Sequence, residues 1–397
     1  MGMITALHRK EPDTSEAEDR ALPHVLLVLD QFPRTLGGGE RIVLKLAGLL
    51  PKYGFRVSIL TFSIHSESAI LESAPCPIYL LPLKRTYDLT AFRAALDFRS
   101  FLRQQRVQIV QTFFESSDLW VGFLTKAMSN AKLIWSRRDM GILRARKHRI
   151  AYRLMAGAPN AVFAVSEQVR RHCIDVDRID AARVQTIYNG IDLADWNCVV
   201  ERAKTQGEAL ITTVGNIRRV KGHDIFIRAA ASIVPLFPKV SFSIVGDVLE
   251  LGYFEELKKL VQDLGLSDQF YFTGGIADLC EYLSRADIFV LPSRSEGFSN
   301  AIIEAMAASL PVVATCVGGN AEAVIDEVTG FIVPPEDPAA LSTAIVRLLS
   351  DPLRAKAMGI AGKSRASDTF TTAAMMGQIV ATYKDLLAYP PLKDENS

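Results

Sequence analysis

The sequence predicts an α/β protein of two domains, each with a parallel β-sheet covered by helices. Short apolar runs alternate with helical stretches from Val25–Leu29 onward, and such alternation is typical of parallel sheets with helices on both faces. The chain has 397 residues, more than one hydrophobic core usually needs at ~150 residues per domain. The pattern breaks off in a polar stretch, 197–207, and starts again at Leu210–Val214.

The domain limits follow from this pattern. We expect one Rossmann-like, doubly wound domain over residues 23–196 and a second over 207–371, followed by a helix over 372–390. Residues 1–22 are polar and lack hydrophobic periodicity, so we expect a disordered tail there.

Composition excludes several classes of protein. The formal net charge of +1 argues against binding of nucleic acid through bulk charge. No apolar run approaches the ~18 residues that span a bilayer, and no secretory signal is visible. The five cysteines lack metal-ligand spacing, and we expect buried thiols rather than disulfides. A cytoplasmic protein is therefore expected.

The stretch 291–322 carries the densest functional signals. The apolar run Ile288–Leu291 predicts a buried strand, which Pro292 ends. Glu296 lies in the polar turn that follows, and Glu304 lies about one turn into the next predicted helix, so both carboxylates can face one crevice. The residues directly after Glu296 are Gly297, Phe298, Ser299 and Asn300.

This pattern resembles glycosyltransferase family 4, group 1 type. Glu-x₇-Glu lies within Pro-Ser-x-x-Glu-Gly-Phe and is followed by Glu-Ala-Met-Ala, Pro-Val-Val-Ala-Thr and Gly-Gly-x-x-Glu. The resemblance implies the GT-B fold, with two Rossmann-like domains facing across a cleft and the helix at 372–390 crossing back to the first domain. It also implies a retaining, metal-independent enzyme that takes a nucleotide-sugar co-substrate and needs no other cofactor.

The resemblance also assigns roles in the donor site. Glu296 would contact the donor sugar, the backbone amides of 297–300 would hold sugar hydroxyls or phosphate, and Glu304 would bind the ribose. Lys221 lies in a basic loop before a predicted helix, a setting that suits a diphosphate. Asn216 stands where the family usually has an arginine, so the second cation is expected from one of two neighbours, Arg218 or Arg219.

Glycines open a helix in the N-terminal domain. Gly38 and Gly39 lie at its predicted start, where free amides can bind an anion. The residues alone equally suit a flexible turn in which Glu40 faces the helix dipole. The resemblance favours a contact between these amides and the donor diphosphate.

The acceptor site is less well indicated. Many family members carry histidines after the strand equivalent to Ile109–Thr112, and none is present here. Glu115 and Asp118 can orient an acceptor, and either can instead cap the next helix. At the next strand end, Arg137 and Arg138 are candidates to clamp an anionic acceptor, and Asp139 beside them is a further candidate for the acceptor site.

A basic amphipathic helix is predicted from Leu143 to Met155. Its apolar side can rest on an anionic membrane surface, or the helix can simply present a solvated charged face. We expect an acceptor that bears phosphate, such as a lipid-linked saccharide. The Asp175-Val176-Asp177 stretch has the Asp-x-Asp pattern of metal-dependent transferases of another fold, but no strand leads into it, so we expect a solvated loop and no metal site.

The sequence thus predicts a retaining transferase that moves a hexose from a UDP- or GDP-linked donor to a saccharide or lipid-linked acceptor. The product would be a cell-surface polysaccharide or glycoconjugate, with peripheral contact to an anionic membrane and no nucleic-acid partner. Lys221 and Arg218 would stabilise the departing diphosphate. The alternative is a catalytically silent subunit that binds the nucleotide sugar, and turnover by the purified chain separates the two.

Overall fold

The computed structural model describes residues 4–8, 21–65, 73–83, 89–141, 145–196 and 207–388. The chain divides into two compact units. The first contains the residues up to Ile187 and those from Met376 onward, and the second runs from Tyr188 to Met375. Each unit is an α/β domain built on one largely parallel sheet, which confirms the predicted fold class.

The sheet of the first unit has eight strands within the described ranges: β1 (Thr5–His8), β2 (His24–Phe32), β3 (Arg56–Ile64), β4 (Ile78–Leu80), β5 (Val107–Thr112), β6 (Lys132–Arg137), β7 (Ala161–Ala164) and β8 (Val184–Thr186). Their order is β1-β4-β3-β2-β5-β6-β7-β8. All neighbours pair in parallel except β1, which runs antiparallel to β4. The order reverses between β2 and β5, as in a doubly wound sheet.

Apolar residues fill the central strands of this sheet because both of its faces are covered. Val25 to Leu29 in β2 are all buried, and strands buried on both faces read as continuous apolar runs. The helices between the strands are α1 (Gly38–Leu49), α2 (Leu89–Gln104), α3 (Gly122–Met128), α4 (Arg146–Leu154) and α5 (Glu167–Asp175).

The second unit has a six-stranded, fully parallel sheet: β9 (Ala209–Val214), β10 (Val240–Val245), β11 (Phe270–Gly274), β12 (Ile288–Leu291), β13 (Val312–Thr315) and β14 (Gly330–Val333). The order is β11-β10-β9-β12-β13-β14. This is the doubly wound order, and it reverses between β9 and β12. That switch point decides where the site lies.

The helices of the second unit are α6 (His223–Ile233), α7 (Leu251–Asp263), α8 (Leu279–Ser284), α9 (Asn300–Ala307), α10 (Asn320–Ala323), α11 (Pro338–Ser350) and α12 (Pro352–Thr369). Local signals set several of their starts. Asp337 and Asp351 each accept a hydrogen bond from a first-turn amide and precede a proline at the first helical position, a combination that favours helix initiation.

The C-terminal helix, α13 (Thr372–Ala388), begins among residues of the second unit and ends in the first. Tyr383 is fully buried there; its ring lies 5.4 Å from that of Phe55, and its hydroxyl donates to Gln111 Oε1. The expected return of this helix to the first domain is confirmed.

Two boundaries differ from expectation. Thr5–His8 is a strand rather than part of a disordered tail, because it pairs with β4 at the edge of the sheet; residues 9–20 lie outside the described ranges. The segment after Tyr188 belongs to the second unit, not the first, because Ile191 forms backbone hydrogen bonds with Phe370 and Thr372. The linker expected at 197–207 lies outside the described residues except for Gly207.

The expectation of free thiols is wrong for Cys280, which is disulfide-bonded. Spacing along the chain could not reveal this, because folding decides which cysteines meet. Cys76, Cys173 and Cys316 form no disulfide bond; the first two are buried and the third is exposed. Cys198 lies outside the described residues. Over the described part of the chain, every helix is too short or too polar to cross a bilayer.

Candidate functional site

Two loops meet at the switch point of the second unit. β9 and β12 are neighbours in its sheet, and ligand crevices lie outside the carboxyl ends of strands at such points. The loop after β9 carries Lys221, and the loop after β12 carries Glu296. Both loops therefore lie where a parallel sheet best accommodates a ligand.

Lys221 and Glu296 form the centre of this region. Lys221 Nζ lies 2.7 Å from Glu296 Oε1, and the two side chains are 25% and 10% exposed. The Ser293 hydroxyl donates to the same Oε1 at 2.7 Å. The other oxygen, Oε2, has no hydrogen-bond partner among the described residues. One oxygen is therefore fixed by the protein, and the other can accept from a ligand.

Glycines bring the backbones of these loops into direct contact. A Cβ on Gly222 (φ +66°) would lie 2.1 Å from the carbonyl oxygen of Pro292. A Cβ on Gly318 (φ +52°) would lie 1.8 Å from the carbonyl oxygen of Glu296. Both contacts forbid any side chain, and the positive φ angles also favour glycine. Gly318, in the turn after β13, is thus required for this turn to lie against the backbone of Glu296.

Buried polar side chains fix the position of Ser293, which donates to Glu296. The Thr315 hydroxyl donates to the carbonyl oxygen of Ser293 at 2.6 Å, and Asn320 Nδ2 donates to that of Thr315 at 3.1 Å. All three residues are buried. Ser293, which orients the carboxylate, is thereby held itself.

The predicted donor residues after Glu296 begin helix α9. Ser299 is its N-cap but makes no capping hydrogen bond through its side chain. Asn300 Oδ1 accepts from Asn189 at 2.5 Å, and the Phe298 ring packs 5.2 Å from those of Tyr188 and Phe370. The side chains of Phe298 and Asn300 are therefore engaged within the unit, and the backbone amides at the start of α9 are the groups that can contact a ligand. Glu304 is half-buried in the second turn of α9.

Both candidates for the second cation are paired with carboxylates near α7. Arg218 Nε lies 3.6 Å from Glu250. Arg219 donates to both oxygens of Glu256 at 2.8 Å, and its guanidinium lies 4.7 Å from the ring centre of Tyr253. Local spacing suggested a role for these arginines at the diphosphate, but any phosphate there must compete with these glutamates.

Sequence reasoning missed Arg294 and Asp224. Arg294 forms a bidentate pair with Asp224, with both distances 2.8 Å. Burial alone would raise the pKa of Asp224, but hydrogen bonds from Arg294 and Tyr253 outweigh it and lower the pKa to about 2. The sequence did offer one signal for this pair, since an arginine follows Ser293 in the turn that carries Glu296.

His223 lies next to the loop that carries Lys221. It is buried and neutral, since burial lowers its pKa to about 4.

In the first unit, Gly38 and Gly39 are the first residues of α1, with Gly37 as N-cap. A Cβ on Gly39 would lie 2.8 Å from the ring of Phe114. The helix therefore starts where expected, and a side chain at Gly39 would have to displace the ring of Phe114.

Arg137 does not fit its predicted role as an acceptor clamp. The side chain is 2% exposed, lies 3.0 Å from Asp177, and places its guanidinium 4.4 Å from the ring centre of Tyr152. Asp177, expected in a solvated loop, is fully buried with it. The expectation was wrong for both residues because folding turns them inward as an ion pair.

The other two candidates at this strand end stay nearer the surface. Arg138 is half-buried, and burial lowers its pKa to about 10. Asp139 is exposed, and its carboxylate accepts a hydrogen bond from the Gly141 amide at 2.7 Å.

Glu115 pairs with His148 of α4, and both side chains are partly exposed. Asp118 is buried and accepts from the hydroxyls of Thr112 at 2.5 Å and Tyr152 at 2.8 Å. Asp118 is therefore an interior residue, whereas Glu115 remains at the surface.

Among the residues that the structure covers, no group of three or more histidine, cysteine or acidic side chains is arranged to hold a metal ion.

The predicted basic helix is α4, shorter than expected, with Leu143 outside the described residues. Tyr152 faces the interior, while Ile150 and Leu154 are 53% and 82% exposed. Its lysine and three arginines are also exposed: Arg146, Lys147, Arg149 and Arg153.

Two α/β units, the second with the Lys221–Glu296 pair at the switch point of its sheet, place the chain in the GT-B structural class. The chain belongs to glycosyltransferase family 4, group 1 type. The family model described as Glycosyltransferase Family 4 matches residues 36–195, and that described as Glycosyl transferases group 1 matches residues 199–365.

Curated relatives match part of the chain. A GDP-mannose-dependent alpha-(1-6)-phosphatidylinositol monomannoside mannosyltransferase from Mycolicibacterium smegmatis is 38% identical over 159 residues, which cover 38% of this chain and 41% of that protein. The lipopolysaccharide core biosynthesis mannosyltransferase LpcC from Rhizobium leguminosarum is 33% identical over 209 residues, or 51% and 59%. The chain thus spans about half the length of the curated relatives that it matches.

Solved structures share the fold over nearly the whole chain. HepE from Anabaena, in complex with UDP and glucose, has a TM-score of 0.78 at 21% identity and covers 91% of this chain and 99% of its own. Sucrose-phosphate synthase from Thermosynechococcus elongatus has a TM-score of 0.80 at 24% identity, covering 92% and 99%. At this level of identity the likeness concerns the fold alone.

Proposed function

We propose that the chain is a retaining glycosyltransferase that moves a hexose from a nucleotide diphosphate sugar to a saccharide or lipid-linked acceptor. The observation that carries the proposal is the Lys221–Glu296 pair at the switch point, with one carboxylate oxygen left for a ligand. Support comes from relatives named as mannosyltransferases, one of them GDP-mannose-dependent, and from the fold of the UDP-bound HepE.

In this proposal Lys221 stabilises the negative charge that develops on the departing diphosphate, and the amides at the start of α9 assist it. Glu296 meets the donor sugar through its second oxygen, and Glu304 accepts hydrogen bonds from the ribose. No metal takes part. The roles of Arg218, Arg219, Gly38 and Gly39 stay predictions.

Calorimetric titration of the full chain with UDP, GDP and ADP, with and without Mg²⁺, tests the donor site. We expect tight binding of one nucleotide that is indifferent to the metal and that Lys221→Ala weakens about tenfold. Absence of binding by a folded sample would overturn the proposal. Binding without turnover on any donor would favour the silent-subunit alternative.

We further propose that the acceptor is lipid-linked and is met at an anionic membrane surface, the inner face of the cytoplasmic membrane. Exposed cations and two exposed aliphatic residues share α4, and this helix has no acidic residue. Such helices bind anionic interfaces through both features. Glu115 and Arg138, also in the first unit, are candidates to contact the acceptor.

Sedimentation with phosphatidylglycerol vesicles tests the membrane contact, with phosphatidylcholine vesicles as reference. We expect binding that falls with added salt. Leu154→Glu should weaken it, whereas Leu353→Glu should not, although the two leucines are equally exposed at 82% and 83%. Equal binding to both kinds of vesicle, or an equal effect of both substitutions, would contradict the proposal.

A further inference from the structure

We propose that Arg294 is a positioning residue that holds Lys221 opposite Glu296, and that it does not bind phosphate itself. The inference rests on the proposed donor site. Arg294 lies two residues before Glu296, in the loop that follows β12.

The hydrogen bonds of the Arg294 guanidinium use all of its donors. An arginine side chain has five N–H groups and no acceptor. Nη1 donates to Asp224 Oδ1 and to the Arg219 carbonyl oxygen at 2.8 and 2.7 Å, and Nη2 donates to Asp224 Oδ2 and Glu336 Oε2 at 2.8 and 3.1 Å. Nε donates to Glu336 Oε1 at 2.5 Å. Five donors meet five acceptors, so none remains for a phosphate.

These contacts hold the Lys221 segment from both sides. The Arg219 carbonyl precedes Lys221 in the chain, and Asp224 follows it in the first turn of α6. Between them, the Val220 carbonyl oxygen accepts from the backbone amide of Arg294 at 2.8 Å. Arg294 thus ties three points of this segment to the loop that carries Glu296. Lys221 contributes its side chain from the middle of that fixed segment.

The geometry distinguishes this arrangement from a plain surface ion pair. Isolated surface pairs contribute little because water screens them and the side chains must be ordered. Here a planar fork binds a carboxylate through both oxygens, and the same group also fixes a backbone carbonyl. A lysine at this position keeps the charge but has three donors and no fork, so it cannot reproduce these contacts.

The second unit offers a matched control. Glu327, like Glu336, has a left-handed backbone, with φ of +63° and +59°. Glu327 is bound by Arg347 at 2.9 Å and by Arg354. Arg347→Lys therefore disturbs the same kind of arginine–glutamate contact without touching the Lys221 segment.

A double-mutant cycle on nucleotide affinity tests the proposal, with UDP and GDP as probes in calorimetry of the full chain. Arg294→Lys should weaken binding about tenfold, and Lys221→Ala should do the same. Because Arg294 acts through Lys221, the double variant should bind no more weakly than Lys221→Ala alone. Arg347→Lys should leave the affinity unchanged. Additive losses, or equal losses in Arg294→Lys and Arg347→Lys, would overturn the proposal.

A second cycle needs no nucleotide and so separates this inference from the proposed function. Urea midpoints of Lys221→Met, Glu296→Gln and their double variant measure the coupling within the pair. We expect this coupling to be lost in an Arg294→Lys background and kept in an Arg347→Lys background. Coupling that survives Arg294→Lys would refute the positioning role even if nucleotide binds. Loss of coupling in a chain that binds no nucleotide would support positioning while the proposed function fails.

Discussion

Charged residues that lie at strand ends differ in burial between the two units. In the first unit, Arg137 ends β6 and is buried against Asp177. In the second, Lys221 and Glu296 follow β9 and β12 and keep 25% and 10% of their side chains exposed. Both regions have the same sequence signal, charged residues after a buried strand. Arg137 is closed off from any ligand, whereas Lys221 and Glu296 stay within reach of one.

The two ion pairs differ in how far water reaches their charged groups. Burial alone lowers the pKa of Arg137, but Tyr152, Cys173 and Asp177 raise it, so the guanidinium remains charged inside the protein. Removing one partner of such a buried pair is costly, because the other charge stays desolvated. Lys221 and Glu296 are partly solvated, so a ligand can replace the contact between them at a small cost in free energy. The two charges of a buried pair therefore depend on each other, whereas a half-buried pair can exchange its contact for one with a ligand.

The largest predicted effect follows from Arg137→Met. Asp177 would stay buried without its guanidinium, so we expect a loss of about 3–5 kcal/mol in the free energy of unfolding. Urea denaturation measures this loss. The double variant Arg137→Met/Asp177→Leu should recover much of it, because both charges are then gone. Nucleotide affinity of the folded fraction should not change, and a tenfold loss of affinity would break the contrast between the two units.

Lys221→Ala should show the opposite profile. We expect a ~10²–10³-fold loss of turnover, since removing one preorganised charge donor typically costs that much. The free energy of unfolding should change by less than ~1 kcal/mol, because the pair is partly exposed. Turnover should suffer more than donor affinity if the charge acts mainly in the transition state. Equal losses in both would argue for simple ground-state binding.

A buried histidine in each unit, His24 in the first and His223 in the second, predicts a shared sensitivity to acid. Burial, and also Arg56 beside His24, lowers the pKa of His24 to about 4, and burial lowers that of His223 to about 4. Both groups bind protons more readily when unfolded, so they cost no stability above pH 6.5. As the pH falls from 6.5 to 4, stability decreases, by about 2 kcal/mol per histidine at pH 5.

Urea denaturation at pH 7.5, 6 and 5 measures this decrease. His24→Gln removes one titrating group and should lessen the fall in stability between pH 7.5 and 5. An unchanged pH dependence in that variant would mean that His24 is not held neutral in the fold.

A feature could be predicted from the sequence when residues close together in the chain determine it. The strand before Glu296, the turn that holds it and the helix that carries Glu304 were predicted because neighbouring residues determine them. The partners of Arg137, Arg218 and Arg219 were not, because each pairs with a carboxylate on a distant element. A lone sequence shows that a charge follows a strand; the packing of helices decides whether it turns inward.

Glu304→Gln should produce the smallest effect and the sharpest test of the second unit as a donor site. The residue is half-buried on α9, one turn beyond Asn300. An amide keeps the shape but replaces one acceptor with a donor, so a ribose hydroxyl would lose a charge-assisted hydrogen bond. We expect about tenfold weaker nucleotide binding by calorimetry, with the urea midpoint unchanged. Unchanged affinity for the nucleotide would remove Glu304 from the site while leaving the Lys221–Glu296 pair in place. A lower midpoint with unchanged affinity would make Glu304 a structural residue like Arg137, and the contrast between the two units would then hold only for the two loops at the switch point.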